Sequence, residues 1–452
     1  IMEQIAQEVQ IGLISYSRTH HTRQSALGLP FIVRKNYGGE EYSVSEYTMS
    51  EIIASIYDLM EVTGLKEGIL FLDEINCVSE TLAPSMLQFL QCKSFGNHKI
   101  PQGWVIVAAG NPPEYNKSVR EFDVVTMDRV KKIEVEPDFG VWKEYAYQQG
   151  MHGAVVSYLN VRKQNFYQME TTVDGRNFAT PRGWEDLSTL IRVYERLGKT
   201  IDREVVVQYI QFPKIAKDFA NYLELYYKYR TDYQIEEILK GNLDEVLLKK
   251  VAHASFDERL SVLGLLISRV NEALKTSVQT EKYIEMLFSV LSEYKELTET
   301  VRDGLDGQQL FSNVYSKFNL NYINRKKAEL ISREEDKVYR RTLETLERFQ
   351  QALRLDNIQK SEESFERVKS LFEQEREIYE KGQTEAVQVV EYVFDFMEGA
   401  FGNSQEMVIF ITELNSNPYS VSFLQECDLE RYFRYNKELL FDEKRRKLLE
   451  RM

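Results

Sequence analysis

An apolar run that ends in two adjacent carboxylates is the feature that most constrains this chain. Residues 69–72 are all apolar and are followed directly by Asp73 and Glu74. A second apolar run, at residues 104–109, leads through one glycine to the amide side chain of Asn111. Such runs are typical of strands in a buried parallel sheet, and polar groups at the carboxyl ends of these strands face the ligand crevice. The sequence therefore predicts an α/β fold with these three side chains at one edge of its sheet.

The residue types at this edge suit the hydrolysis of a phosphoanhydride, which depends on positioning and charge neutralisation. Asp73 is the candidate ligand for Mg²⁺, and Glu74 is the candidate base that polarises the attacking water. Asn111 could fix that water or contact the terminal phosphate. Simpler interpretations exist, because strands that end in Asp-Glu arise by chance and an Asn after a strand is usually a turn residue.

Two arginines are candidates for the cation that stabilises the charge of the transition state. Arg129 precedes a predicted strand at residues 131–135, and Arg182 follows a Thr-Pro pair that is typical of a helix start. A cation in the first turn opposes the helix dipole, so a bound anion explains Arg182 better than helix stability does. The simpler interpretations are a surface ion pair for Arg129 and a solvated side chain for Arg182. The order of all these features along the chain favours the functional interpretation.

Composition narrows the class of protein. A length of 452 residues predicts two or more domains. The net charge of -14 argues against a large surface for nucleic acid or for an anionic membrane. The three cysteines form no CxxC motif, which is typical of a reducing compartment and argues against a zinc ribbon. No apolar run is long enough to cross a bilayer. We therefore predict a cytoplasmic protein that binds no membrane.

Proline divides the chain into two halves of different character. Eight of the nine prolines lie at or before Pro213, and a region rich in Glu, Lys, Leu and Tyr follows. This pattern predicts an α/β first half and a helical second half. We predict helices at 1–9, 50–62, 80–91 and 117–122, strands at 12–17, 69–72, 104–109 and 131–135, a β-hairpin at 92–100, and a helical hairpin whose two apolar faces span 338–353 and 365–378.

The order of these motifs resembles that of the AAA+ ATPases, and most closely that of their MoxR-like branch, over about residues 1–197. Residues 72–76 are similar to the Walker B motif of the family, and residues 110–112 to its sensor-1 segment. Arg129 stands where the family has the arginine finger that acts on a neighbouring subunit, with Arg120 as a rival for that role. Arg182 resembles the sensor-2 residue at the start of the lid helix.

Two further segments extend the resemblance to the MoxR-like branch. The hairpin at 92–100 is similar to its pre-sensor-1 hairpin, and residues 28–62 would contain its helix-2 insertion. The resemblance implies a parallel-sheet AAA+ core at 1–145, a helical lid at 146–240 and a helical C-terminal extension at 241–452. It also implies a ring of six subunits with ATP and Mg²⁺ at each interface. Its function would be that of a chaperone or maturation factor, with a von Willebrand A-domain protein as a possible client.

One motif of the family is missing, because no G-x-x-x-x-G-K-[ST] loop occurs in the 452 residues. The helix at 1–9 resembles the helix that directly follows this loop in the family. The resemblance therefore implies that the first strand and the phosphate-binding loop precede Ile1. It also implies that these 452 residues alone are poorly stable, bind ATP weakly or not at all and are inactive, whereas the full-length protein is an ATPase.

Two functions of other classes remain open at this stage. A non-catalytic scaffold would hold partners through its helical half and would carry a degenerate nucleotide domain. A DNA-remodelling motor of the helicase type shares the hairpin, but Lys93, His98 and Lys99 make that hairpin only mildly basic. The acidic chain argues against nucleic acid as a partner.

Overall fold

The computed structural model describes residues 1–17, 28–77, 83–112, 124–172, 175–300, 306–427 and 429–449. The chain forms two compact units, and each unit is built from two segments. The first unit comprises Ile1–Glu134 and Met286–Lys369, and the second comprises Val135–Glu285 and Ser370–Met452. Helices make up most of both units, and the sheets are small.

The strands and helices are numbered here in chain order. The strands are β1 (Gly12–Ser17), β2 (Pro30–Tyr37), β3 (Glu40–Tyr47), β4 (Gly68–Asp73), β5 (Ser94–Phe95), β6 (His98–Lys99), β7 (Trp104–Ala108), β8 (Gln168–Thr172) and β9 (Gly175–Ala179). The helices are α1 (Met2–Val9), α2 (Glu51–Thr63), α3 (Ala83–Cys92), α4 (Val124–Met127), α5 (Phe139–Gln148), α6 (Gly153–Val161), α7 (Pro181–Arg196), α8 (Arg203–Tyr209), α9 (Pro213–Asp232), α10 (Ile235–Ile238), α11 (Glu245–Ala252), α12 (Phe256–Thr300), α13 (Gly307–Lys327), α14 (Arg333–Leu355), α15 (Ser361–Phe401), α16 (Gln405–Ser416), α17 (Pro418–Glu426) and α18 (Glu430–Leu449).

The first unit contains a three-stranded parallel sheet in the order β1-β4-β7. Its central strand, β4, pairs in register with β1 on one side and with β7 on the other. Leu70 and Leu72 of β4 are buried together with Trp104 and with the apolar face of α2. The sheet confirms the predicted strands at 12–17, 69–72 and 104–109, and parallel pairing brings their carboxyl ends to one edge.

The predicted strand at 131–135 is wrong. Residues 131–138 form neither helix nor strand, and the side chains of Ile133 and Val135 are 82% and 74% exposed. A strand needs a neighbour for its backbone hydrogen bonds. Within the described ranges, no strand pairs with the outer edge of β7, so the apolar pattern at 131–135 has no sheet to join. The predicted helix at 117–122 lies outside the described residues.

The open edge of β7 leads to a first prediction. The hydrogen bond from the amide of Ala109 to the carbonyl of Leu72 shows that odd-numbered amides of β7 face β4, so those of Ile106 and Ala108 face outward. We expect these two amides to exchange with deuterium on the order of tenfold faster, or more, than those of Val105 and Val107. Exchange measured at single residues by fragmentation mass spectrometry tests this. Equal protection of all four amides would show that the outer edge is covered.

Two hairpins accompany the sheet, and only one was predicted. The β5–β6 hairpin, with its turn at Gly96, confirms the prediction for residues 92–100. The longer β2–β3 hairpin was missed, although Gly38 and Gly39 both have positive φ and form its turn. A Gly-Gly pair between two eight-residue strands is a standard hairpin signal. No strand was predicted for residues 30–47, which these two strands occupy.

The helical hairpin of the first unit has a different partner from the predicted one. Helix α14 buries the predicted face, including Leu346 and Leu353, but it runs antiparallel to α13. Two side-chain hydrogen bonds join the antiparallel helices. Tyr315 donates to Glu347 near their middle, and Lys326 donates to Asp336 near the loop that connects them. The prediction paired this face with the apolar face at 365–378, which lies in α15.

The second unit contains a large helical core with one short ribbon, β8–β9. The tyrosines at 222–233 pack in or against this core, and Tyr226 and Tyr233 are buried in it. Their hydroxyl groups bind protein partners: that of Tyr233 donates to Glu258 at 2.5 Å. Burial also raises the pKa of Tyr222 to about 12, so this phenol stays protonated at neutral pH.

Candidate functional site

The chain leaves β4 through an irregular turn that displaces Glu74 from the regular β4–β7 ladder. In a regular parallel ladder, Ala109 would bond to residues 72 and 74 of β4. Its amide does donate to the carbonyl of Leu72, at 2.9 Å, but its carbonyl accepts from the amide of Ile75, also at 2.9 Å. Glu74 is therefore an extra residue that bulges out of the ladder, with φ at +52°. A non-glycine residue in this conformation costs about 1–3 kcal/mol, and such residues cluster at functional sites.

The carboxylate of Asp73 stabilises this bulge. Its Oδ1 atom accepts a hydrogen bond of 2.9 Å from the amide of Glu74, which the ladder has left without its usual acceptor. A turn of 3₁₀ helix at Ile75–Cys77 follows and continues the chain away from the sheet. Both carboxylates are half-buried, so they remain accessible at the carboxyl edge of the sheet.

A side-chain hydrogen bond fastens this turn to the segment that follows β7. The Nδ2 atom of Asn76 donates to the backbone carbonyl of Asn111 at 2.7 Å. Asn111 itself is exposed. The structure therefore brings Asp73, Glu74 and Asn111 to one edge of the sheet, as the strand pattern predicted. It also adds Asn76, which the sequence did not single out because an Asn two residues after a carboxylate pair has no distinctive spacing.

The two candidate arginines belong to different units. Arg129 lies in the first unit, just after the short helix α4, with an exposed side chain. Arg182 lies in the second unit, in the first turn of α7, where the Thr180 hydroxyl accepts from the amide of Gly183 as the N-cap. The predicted helix start is confirmed, and the role of Arg182 as sensor 2 stays a prediction. Arg120 lies outside the described residues.

The residues at this edge fit a magnesium ion that is held mainly by phosphate and water. Among the described residues, no three His, Cys, Asp or Glu side chains form a metal-binding group. Mg²⁺ commonly binds through one or two carboxylates together with waters and substrate phosphates. Asp73 offers one such carboxylate, since only its Oδ1 atom is needed by the backbone of the turn. The donor set therefore fits Mg²⁺ in a nucleotide complex and not a dedicated protein cage.

The second unit contains a groove of about 960 Å³. Its walls include Arg162 and Asp218, whose side chains form an ion pair at 3.0 Å. The Asp218 carboxylate also accepts from the Tyr158 hydroxyl at 2.9 Å. Both donors bind the same oxygen, Oδ2, so this carboxylate already has a counter-charge and a hydrogen-bond donor within the protein.

Comparison of the chain with family models, with curated proteins and with solved structures gives no match. The functional interpretation therefore depends on the geometry at the end of β4. In the parts of the chain that the structure describes, no helix combines the length and the apolar character needed to span a bilayer.

The bulge at Glu74 leads to a second prediction. If its positive φ is maintained for function, Glu74→Gly should raise the free energy of unfolding by up to about 1 kcal/mol, because glycine adopts this conformation without strain. Urea-induced unfolding measures the change. Glu329→Gly is the comparison variant, since Glu329 has a similar φ of +56° but is exposed and lies away from the sheet. A loss of stability in Glu74→Gly alone would mean that the Glu74 side chain, not the fold around it, stabilises the turn.

Proposed function

We propose that this chain carries the ATP-hydrolysing centre of a MoxR-like AAA+ ATPase. The observation that carries the proposal is the strained bulge at Glu74, which follows Asp73 at the carboxyl end of β4 and lies in the turn that Asn76 fastens to the Asn111 carbonyl. Strain of this kind persists where the surrounding structure enforces it, and it is common at active sites. Glu329 has a similar φ after α13, but Glu74 differs from it in lying at the carboxyl end of the central strand of a parallel sheet, where ligand sites form.

In this proposal the two carboxylates have separate roles. Asp73 holds Mg²⁺, which supplies charge neutralisation on the phosphate oxygens when it is bound. Glu74 accepts a proton from the attacking water, while the water oxygen bonds to the terminal phosphorus and the bond to the ADP oxygen breaks. Asn111 positions that water or contacts the terminal phosphate. The products are ADP and phosphate.

The two arginines extend the proposal to an oligomer. Arg129 would reach the nucleotide of a neighbouring subunit, and Arg182 would neutralise charge on the phosphates from the lid. A guanidinium delivered by a neighbour requires an oligomer, for which we propose a ring of six subunits. Hydrolysis would then drive a conformational change in a client protein, and a von Willebrand A-domain protein is the client class that the resemblance suggests.

One observation favours a second candidate function, that of a non-catalytic scaffold. No G-x-x-x-x-G-K-[ST] loop occurs in the 452 residues, and such a loop supplies the amides and the lysine that bind the β- and γ-phosphates. A scaffold needs neither the loop nor a strained carboxylate. The scaffold hypothesis therefore explains the missing motif but does not explain the bulge at Glu74.

The test of the proposed function is the magnesium dependence of nucleotide binding by the full-length gene product. We expect Asp73→Asn to weaken the binding of a fluorescent ATP analogue in Mg²⁺ by roughly tenfold or more. The variant keeps an oxygen that can accept from the Glu74 amide, so the fold is preserved. Asp58→Asn, at an exposed aspartate of α2, is the matched control. Binding that is equal in both variants, with and without Mg²⁺, would exclude Asp73 as the metal ligand.

A further inference from the structure

The side-chain amide of Asn76 donates one hydrogen bond through its nitrogen, but its oxygen accepts none from the residues that the structure describes. Its Nδ2 atom donates to the Asn111 carbonyl, whereas its Oδ1 atom is buried and has no donor among the residues that the structure describes. The orientation of the amide is fixed by chemistry, because an oxygen placed 2.7 Å from the carbonyl oxygen would be repelled. Asn76 therefore contacts the Asn111 segment in one defined way.

Gly110 makes room for this amide. A Cβ atom added to Gly110 would lie 2.5 Å from Oδ1 and 2.7 Å from Cγ of Asn76. The φ of Gly110 lies outside the left-handed region, so any residue could adopt its backbone conformation. Space for the Asn76 side chain, and not backbone freedom, is what requires glycine at this position.

Stability does not explain the amide of Asn76. A buried acceptor without a donor costs free energy, and an apolar side chain of the same shape avoids that cost. The carbonyl that Asn76 binds belongs to an exposed residue, where water could serve as the donor. Residues that break a local rule of stability in this way are expected at functional sites.

We propose that Asn76 is a positioning residue of the ATPase centre. It lies two residues after Glu74 in the same turn, and it holds the backbone of Asn111 at a set position. The candidate base and the candidate sensor thereby become parts of one rigid element. The inference rests on the proposed function and adds a residue whose side chain acts through Asn111 and not on the substrate itself.

The decisive variant is Asn76→Leu in the full-length gene product, assayed for ATP hydrolysis and for urea-induced unfolding. We expect kcat to fall about 10- to 100-fold, because small displacements of a catalytic group have effects of this size. The KM for ATP should change by no more than about twofold, since the base and the metal ligand are untouched. The midpoint of unfolding should stay equal or rise. A purely structural role predicts the opposite, a lower midpoint with kcat unchanged in the folded enzyme.

A double-variant cycle shows whether Asn76 acts through Asn111. The kcat of Asn76→Leu combined with Asn111→Ala should equal that of Asn111→Ala alone. A double variant whose fall in kcat equals the product of the two single falls would overturn the proposal. If Asn76→Leu does not fold, Gly110→Ala displaces the same amide and should give the same fall in kcat. An unaltered gene product that hydrolyses no ATP would overturn the proposed function as well, whereas an active one whose kcat survives Asn76→Leu would overturn only the role of Asn76.

Discussion

Replacement of Glu74 by glutamine in the full-length gene product should lower the kcat of ATP hydrolysis by about two to four orders of magnitude. This is the usual contribution of a positioned general base. Glutamine has the same shape but cannot accept a proton from water. Because the carboxylate of Asp73 remains, the variant should still bind ATP with Mg²⁺ and should accumulate in the nucleotide-bound state. Steady-state phosphate release and the amount of bound nucleotide measure the two effects.

The matched control is Glu67→Gln, which removes an exposed carboxylate just before β4, at the opposite end of the same strand. It should leave kcat unchanged. Equal turnover in wild type and Glu74→Gln would remove Glu74 from the mechanism. A gene product with no turnover at all, and no difference between the variants, would favour the scaffold hypothesis.

The sequence predicts the placement of Asp73, Glu74 and Asn111 well because the signal is local. An apolar run fixes a buried strand, and the residue after the run must then lie at the end of that strand. Parallel pairing brings the ends of β4 and β7 to the same edge, so the nearness of Asp73 to Asn111 follows from two runs alone. The bulge at Glu74 does not follow, since no residue type at this position demands a positive φ. The role of Asn76 also depends on the turn that the bulge creates.

The predictions that failed have a different physical origin, because each depended on which other strand or helix packs against the segment. The residues at 131–135 alternate like a strand, but a strand forms only where another strand offers hydrogen bonds. Helix α14 shows its apolar face plainly, whereas nothing in that face specifies whether α13 or α15 covers it. Local sequence patterns also do not predict the division of the chain into two units, each built from two segments. The three-domain division into residues 1–145, 146–240 and 241–452 stays a prediction.

The largest effect on stability should come from Lys143→Met in the second unit. The Lys143 ammonium lies 2.9 Å from a carboxylate oxygen of Glu413, and the two side chains are only 13% and 8% exposed. The Tyr147 hydroxyl donates to the other oxygen of Glu413. Burial, with the Glu413 charge beside it, raises the pKa of Tyr147 well above its usual range, so this donor stays protonated. Without Lys143 the carboxylate keeps one neutral donor and no counter-charge.

Removal of one partner of a buried pair typically costs about 3–5 kcal/mol, because the charge left behind is poorly solvated. We expect this loss for Lys143→Met in urea-induced unfolding. The double variant with Glu413→Gln should recover most of it, since glutamine carries no charge and can still accept from Tyr147. Lys240→Met, at the exposed pair with Glu237, is the control and should leave the unfolding midpoint unchanged. If the double variant is no more stable than Lys143→Met, packing by the lysine stem, and not the unpaired charge, explains the loss.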